Sequence, residues 1–410
     1  MGDTVNVQIQ SIAAGGDGVG RNNGLVIFVP RTAPGDLVSA RIAAKGHFAR
    51  GSLVTIVSPS ADRSDPPCPH YTRDRCGGCQ IQHIEYSAQL SAKKRIVGDA
   101  IQRIAKRDSA RLADVNASPK HWRYRTKLTL AMRRRGDRWI AGLHRYDGPT
   151  QIFSLDDCLI TEERVVGTWK DVMEAQHLLP EAKELRGSVR LTPSGATFLL
   201  LGGFQWRQSE EFLDAVPSVR ALWWEPDGGE LRLIEDRRDE KSPAASFGQV
   251  NPEVAADLQR YLIDRVQSHS PASVLDAYAG LGGTSTELAA SGVRVTAIEL
   301  DRDASDWSAR RLSAPSRAIC ARVEEVIAEV MPADVVIVNP PRSGIDARVA
   351  EALETGAGSV KGLFYVSCNP ATLARDLSRL PSYAISSLQP FDMFPQTAHV
   401  ETVCELVPVA

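Results

Sequence analysis

Ser273-Val274-Leu275-Asp276-Ala277-Tyr278-Ala279-Gly280-Leu281-Gly282-Gly283 decides the fold. A short apolar strand ends near an acidic residue and runs into a glycine loop. A helix is expected from Thr284 to Ala290. A second strand, Val293–Ile298, then ends on Glu299. Strand, loop, helix and strand in that order open a doubly wound α/β domain, here assigned to residues 241–410. Gly280 and Gly282 allow the backbone to approach a cofactor, and Glu299 can accept hydrogen bonds from ribose hydroxyls. A plain tight turn and a helix-entry carboxylate are the alternative readings. A dinucleotide fingerprint needs a third glycine where Ser285 stands. The pattern therefore points to S-adenosylmethionine rather than to NAD.

Two later strands stop in the same manner. Val335-Val336-Ile337-Val338 meets Asn339-Pro340-Pro341-Arg342, and Phe364-Tyr365-Val366-Ser367 meets Cys368-Asn369-Pro370. Proline bars continuation of a strand, so Cys368 is placed at a carboxyl end, where open α/β sheets hold their sites. His399-Val400-Glu401 supplies a carboxylate before another apolar run. The reading is a cysteine nucleophile, Cys368, and a carboxylate base, Glu401, beside a nucleotide-like cofactor. The competing reading of Cys368 is a small buried hydrophobe.

The chain has 410 residues, 24% of them charged and 43% hydrophobic, an ordinary globular balance with room for two or three domains. A net charge of −2 offers no global attraction to nucleic acid, so any such contact needs a local basic patch. The first residues lack the basic start and apolar core of a signal peptide, and no apolar run is long enough to span a bilayer. A cytoplasmic, monomeric protein without membrane contact is expected. Its seven cysteines are then candidates for metal or catalysis rather than for disulfides.

Residues 1–60 read as short strands joined by Gly15-Gly16-Asp17-Gly18 and Pro34-Gly35-Asp36, a small OB-like β-barrel. That stretch, with Val-Pro and Pro-Gly-Asp-Leu-Val after it, resembles the TRAM domain, a small RNA-binding barrel. Residues 61–240 form an expected central α+β domain. It opens on Cys68, Cys76 and Cys79, spaced C-x7-C-x2-C, with Cys158 far downstream. One C-x2-C pair rather than two leans towards an iron–sulfur cluster, with zinc as the alternative. A helix is expected over 85–106. Residues 121–130 alternate as a strand that would put Arg123, Arg125 and Lys127 on one face. From Lys120 to Arg145 there are nine Lys/Arg against one acid, Asp137, which points to RNA contact through those three residues.

Together these segments resemble the RNA uridine-5-methyltransferase family across nearly the whole chain. The most specific motifs are Ser367-Cys368-Asn369-Pro370 and Asp392-Met393-Phe394-Pro395-Gln396-Thr397-Ala398-His399-Val400-Glu401. The resemblance implies a Rossmann-like methyltransferase domain that makes 5-methyluridine in RNA, with 23S rRNA ahead of tRNA as the partner. It implies Cys368 as nucleophile and Glu401 as base. It implies Gln249, Tyr278, Glu299 and Asn339 around S-adenosylmethionine, and a [4Fe–4S] cluster on Cys68, Cys76, Cys79 and Cys158. The family usually has Asp where this chain has Asn339, which keeps the acceptor oxygen and loses the charge. A non-catalytic RNA-binding protein and an amine-methylating DNA enzyme are the other function classes. The latter normally has an aromatic where Arg342 stands.

Overall fold

The structure, a computed structural model, describes residues 3–243, 245, 246 and 248–409. The first five strands are Thr4–Ile12 (β1), Gly18–Asn22 (β2), Leu25–Val29 (β3), Leu37–Lys45 (β4) and Phe48–Ser58 (β5). They close into a barrel in the order β1-β2-β3-β5-β4. Alternate residues point inward, so Val7, Ile9, Ile27, Val29, Val38 and Ala40 form its core.

Two helices follow, Pro69–Thr72 (α1) and Tyr86–Arg103 (α2). Next come Lys127–Arg135 (β6), Arg138–Arg145 (β7), Gly148–Ser154 (β8), the helix Glu163–Glu174 (α3), Glu184–Thr192 (β9) and Gly195–Leu201 (β10). The helix Ser209–Ala215 (α4), Val219–Glu225 (β11) and Arg232–Asp236 (β12) complete this region. Its strands make one sheet, β12-β11-β10-β9-β6-β7-β8, packed on a core that includes Trp169, Phe198, Trp206, Phe212 and Trp224. The expected strand over 121–130 is corrected: β6 begins only at Lys127. Arg123 adopts φ +53, and the Tyr124 hydroxyl donates to the Pro395 carbonyl at 3.0 Å, so tertiary hydrogen bonds override the alternating pattern.

The last region opens with the helix Pro252–Ser268 (α5). Parallel strands then alternate with helices: Ser273–Ala277 (β13), Gly283–Ala290 (α6), Arg294–Glu299 (β14), Arg302–Arg311 (α7), Arg317–Cys320 (β15), Val323–Val330 (α8) and Val335–Val338 (β16). Ala347–Gly356 (α9), Gly362–Ser367 (β17) and Pro370–Leu377 (α10) continue the alternation, and Tyr383–Phe391 (β18) and Glu401–Pro408 (β19) end it. The sheet order is β15-β14-β13-β16-β17-β19-β18, with β19 antiparallel to both neighbours. Both faces are covered, which is why these strands read as unbroken apolar runs. Leu363 and Tyr365 of β17 face one core, and Phe364 and Val366 the other.

The boundary drawn at 240 does not separate the cores. Ala92, Lys93, Ile96, Val97, Ala100 and Ile101 line one stripe of α2. Val97, Ala100 and Ile101 share a core with Leu373 and Leu377 of α10 and with Tyr365. Residues 112–116 then run beside β18, with Ala113 N–H donating to Leu388 O and Asn116 N–H to Pro390 O. No helix among the described residues is long and apolar enough to cross a membrane.

Candidate active site

The chain leaves β13 in one direction to β14 and β15, then crosses to β16 and β17 on the other side. The crevice at such a switch point, beyond the carboxyl ends of the strands, is where open α/β sheets place ligands. Cys368 follows β17 directly. Asn369 caps α10, its Oδ1 accepting from the N–H groups of Ala371 and Thr372, with Pro370 at the first helical position. The thiol thus precedes a positive helix end. Ser367 pairs with Thr402 across the antiparallel β17–β19 ladder. One residue further out on each side stand Cys368 and Glu401, so the register sets these two residues opposite each other.

Glu401 is buried, and burial pushes its carboxyl up to about 7, with the nearby Arg342 guanidinium pulling the other way. The Cys368 thiol is raised by burial first and by the Glu401 charge second. Arg342 opposes both through its charge and a hydrogen bond to the sulfur. Arg342, at the end of β16, thus acts on both groups through its charge, a role that sequence reading missed. Its loop is tied down from α10: Thr372 Oγ1 donates to Arg342 O at 3.1 Å and Arg375 to Ser343 O at 2.7 Å. The buried Asp376 carboxylate also accepts from Ile345 N–H and the Tyr365 hydroxyl.

A carboxyl raised on folding stabilises the fold below its unfolded value, and that contribution is lost as pH rises from 4.5 through about 7. Above pH 7 the ionised, buried Glu401 is therefore a cost. Glu401→Gln should stabilise the protein at pH 8 by about 3 kcal/mol, because each tenfold change in a proton equilibrium is worth about 1.4 kcal/mol. Calorimetry should show the gain at pH 8 and its near disappearance at pH 5. An equal melting temperature at pH 8 would mean that the carboxylate is not desolvated.

Tyr278, Gly280, Gly282, Glu299 and Asn339 stand at the ends of β13, β14 and β16, on the same crevice. Tyr278, half-buried with φ +63, and Gly280, with φ +56, turn the chain off β13. A Cβ on Gly280 would meet nothing, whereas one on Gly282 would strike Ser308 Oγ at 2.1 Å. The first glycine leaves open space and the second permits a close approach. Glu299 accepts from Gly280 N–H and Asp301 N–H, both at 2.8 Å, and keeps lone pairs for further donors. Ser285, where a dinucleotide fold has glycine, donates to the buried Asp276, whose carboxyl burial pushes up to about 6. Asn339 is exposed at the end of β16, its N–H on Ala277 O, and Gln249 is half-buried.

Cys68, Cys79, Tyr124 and Ile160 pack in one cluster with Cys158 against it. Cys76 adjoins them closely enough that its thiol feels Cys158 and Cys68; burial, the larger cause, pushes it up to about 11. Gly77 N–H donates to His144 O and zips this loop onto the β7–β8 turn. Arg123, expected on RNA, instead grips Asp157 with two bonds of 2.8 and 2.7 Å and donates to Cys158 O, fixing the strap that carries that cysteine. Arg125 Nε donates to Lys127 O, and burial with neighbouring cations lowers the Lys127 ammonium. Among the described residues no group of three or more His, Cys, Asp or Glu side chains is placed to hold a metal ion. Neither the cluster nor zinc is therefore established by the geometry.

The cysteine segment and the site share a seam. Gln80 and Ile81 N–H both donate to Gln396 O, and Gln396 N–H donates to Gln89 Oε1. Lys93 pairs with Asp392, both fully buried, and also donates to Phe394 O at 3.0 Å. The Tyr86 hydroxyl donates to the same Asp392 carboxylate at 2.8 Å. The whole 392–400 approach to Glu401 is thus held from the preceding region.

The family model of tRNA (uracil-5-)-methyltransferases matches residues 314–407, and that of the TRAM domain matches residues 1–54. An uncharacterised RNA methyltransferase of Thermosynechococcus vestitus is 31% identical over 99% of this chain and 98% of its own. One from Halalkalibacterium halodurans is 30% identical, covering 98% of this chain and 97% of its own. The tRNA (uracil-54, C5)-methyltransferase of Pyrococcus abyssi, solved with S-adenosyl-L-homocysteine, superposes with a TM-score of 0.71 at 23% identity. The superposition covers 98% of this chain and all of that one, so the fold is shared from end to end. The chain belongs to the family of RNA methyltransferases that these relatives represent, with a C-terminal stretch that matches the tRNA (uracil-5-)-methyltransferase model and an N-terminal barrel that matches the TRAM domain.

Proposed function

We propose that this protein transfers a methyl group from S-adenosylmethionine to C5 of a uridine in RNA, with 23S rRNA ahead of tRNA as the substrate. The observation that supports the reading is the facing pair Cys368 and Glu401, with the Arg342 charge acting on both, at the switch-point crevice. Uracil C5 is a poor nucleophile. Addition of the Cys368 thiolate to C6 forms a C–S bond and moves the ring electrons to C5 as an enolate. S-adenosylmethionine supplies the methyl as a sulfonium, and C5 takes it while the S–CH3 bond breaks. Glu401 then removes the C5 proton, and the returning electrons expel the thiolate from C6. Arg342 favours the thiolate of the first step. The target base must leave its stack to enter the crevice, which suits loop or single-stranded RNA. Gln249, Tyr278, Gly280, Gly282, Glu299 and Asn339 are assigned to the methyl donor.

The test is mass mapping of 5-methyluridine in rRNA and tRNA from cells with and without the gene. Loss of one such residue in 23S rRNA supports the reading as stated, and loss in tRNA moves the substrate. No change in any uridine, with methyl incorporated elsewhere, overturns it.

RNA contact is assigned to the TRAM barrel and to Arg125 and Lys127, since Arg123 is held by Asp157. Arg133 and Arg135, with Arg73 and Arg145, also line a cavity of about 350 Å³ suited to phosphate. Each cation that meets a phosphate should contribute roughly 0.7–0.9 to the slope of log affinity against log salt. Arg125→Ala with Lys127→Ala should flatten that slope accordingly in filter binding. An unchanged slope removes these two residues from the interface.

The four cysteines are assigned to a [4Fe–4S] cluster that braces the central region. Support comes from their buried gathering and from an adjacent uncompensated cation, Arg31, whose Nη1 is buried without a hydrogen-bond partner. A thiolate-ligated cluster is anionic and would need all four sulfurs on one metal group, whereas among the described residues no group of three or more such side chains is placed to hold one.

A further inference from the structure

β6 and β9 divide their side chains between two faces. Leu128, Leu130, Leu185 and Val189 share a core with Trp169. The other face is polar. Lys127 stands directly across from Arg190, Thr129 from Ser188 and Ala131 from Arg186, and side chains so paired lie on one face. In the middle rung the Thr129 and Ser188 hydroxyls hydrogen-bond each other at 2.9 Å. Lys127 and Arg190 are half-buried, and Arg186 is exposed. Burial lowers the Lys127 ammonium, and the charges of Arg190, Arg125 and Arg186, in that order, lower it further. No carboxylate among the described residues raises it. Glu184, further along β9, is taken by Arg133 at 3.0 Å. Cations held together with hydroxyls between them, and without an anion to relieve them, match the chemistry of a phosphodiester chain.

Arg190 also reaches towards the methyltransferase sheet. Its Nη1 donates to the Ser246 carbonyl at 2.5 Å. A Cβ on Gly248 would come within 2.1 Å of its Nη2, so the chain can lie on the guanidinium only because that residue is glycine. The Ser246 hydroxyl donates to Asp301 at 3.0 Å. Asp301 caps α7 by accepting from Ala304 N–H, and its own N–H donates to Glu299. Glu299 in turn accepts from Gly280 N–H. Thr126 anchors the same segment from the start of β6, its N–H and its hydroxyl both donating to Val250 O. Gln249 lies between these anchors in sequence. A continuous set of hydrogen bonds thus joins the cationic face to residues assigned to the methyl donor.

We propose that the Lys127–Arg190 face of the central sheet is a phosphodiester site for the RNA strand that carries the target uridine, and that Arg190 makes occupation of this site and methyl-donor binding favour each other. This rests on the function proposed above and extends it. Without RNA, repulsion among the cations works against the bond from Arg190 to Ser246. A phosphate between Lys127, Arg186 and Arg190 removes that repulsion. Arg190 then holds Ser246, Ser246 holds Asp301, and Glu299 is fixed for the ribose. By linkage, a bound donor fixes Arg190 for the phosphate by the same factor. Arginine suits both tasks because its planar fork can give one nitrogen to the carbonyl and another to a phosphate oxygen. Arg190 is a positioning residue, since it acts on the donor through Ser246 and Asp301.

The experiment measures S-adenosylhomocysteine binding by calorimetry, with and without saturating single-stranded oligouridylate, and oligouridylate binding across a salt series. It uses the full chain as parent, Arg186→Ala, Arg190→Met, Arg190→Lys and Ser246→Ala, with circular dichroism as the check on folding. In the parent, oligouridylate should tighten S-adenosylhomocysteine about tenfold. Arg186→Ala should flatten the slope of log affinity against log salt by roughly 0.7. Arg190→Met should flatten it equally and lose the tenfold gain. Arg190→Lys should keep the slope, because its charge remains, and lose the gain, because the fork is gone. Ser246→Ala should also keep the slope and lose the gain. A purely structural role for Arg190 would instead weaken both ligands and leave the gain at the parent's value, which overturns the coupling. So does a parent whose S-adenosylhomocysteine affinity ignores oligouridylate. If the parent does not bind oligouridylate, or if Arg186→Ala and Arg190→Met bind it with the parent's slope, the phosphate site is overturned. None of these results touches the methyl-transfer reading, which the uridine mapping decides. A parent that binds no S-adenosylhomocysteine overturns both.

Discussion

Cys368→Ala is expected to abolish methyl transfer, with a loss on the order of 10⁴ or more, because without addition at C6 the ring offers no nucleophilic C5. Glu401→Gln is expected to fail in a different place. Thiolate addition and methyl transfer do not need the carboxylate, but removal of the C5 proton does. That protein should accumulate bonded to methylated RNA. A denaturing gel with labelled RNA should show a slow band that requires both S-adenosylmethionine and Cys368. Burial and Glu401 both hold the thiol protonated, and the Arg342 charge is the largest influence that offsets them, so Arg342→Met should slow the appearance of this band. Normal turnover by Glu401→Gln would place the base elsewhere. Retained activity in Cys368→Ala would end the uridine-5 reading and bring forward methylation of an amine.

The second large effect lies about 300 residues from its partner in sequence. Lys93 and Asp392 are both fully buried, and Lys93 also holds the Phe394 carbonyl. Burial lowers the Lys93 ammonium, and Asp392 opposes this. Removing one member of such a pair leaves the other charge alone in the interior. Lys93→Met should cost about 3–5 kcal/mol. The double variant Lys93→Met, Asp392→Leu should recover much of it, since a buried pair and a well-packed apolar pair are often close in stability. Urea unfolding of the three proteins measures this. A Lys93→Met protein as stable as the parent would show that water reaches Asp392. Because Asp392 opens the stretch that leads to Glu401, activity in the single variant should fall more than the population of folded protein does.

The placement of several candidate residues was legible because strand ends announce themselves. Cys368 and Asn339 were placed by the prolines after them, and Glu299 and the glycines by the strand–loop–strand pattern. That Cys368 and Glu401 face each other was not legible. It depends on β19 lying between β17 and β18, which no local signal encodes. Arg342 was visible only as a cation where another chemistry would want an aromatic. Its contact with the thiol comes from the α10 side chains that tether its loop. The period-two pattern over 121–130 misled because histidine, tryptophan and tyrosine there answer to distant partners: His121 stacks on Tyr86, and Tyr124 reaches Pro395. The helix expected over 85–106 forms as α2, although Lys93, in a run of three cations that reads as solvated, is fully buried in it. What it packs on was not readable, because amphipathicity says that a face is buried and not against what.

The packing of α2 on α10 has a consequence for how this chain is made. Translation delivers α2 and the 112–116 segment early, but the strands and helices that cover them emerge last. In between, the sheet from β6 to β12 has its own core and closes largely on nearby residues. It can fold while the ribosome is still producing the rest. Val97, Ala100 and Ile101 then wait uncovered for about 250 residues, on the order of 10–50 s at typical synthesis rates. Contacts of such long sequence separation form slowly and leave apolar surface open meanwhile. A fragment starting at residue 241 should therefore be aggregation-prone despite a complete parallel sheet. Supplying residues 84–118 as a separate peptide should raise its soluble yield.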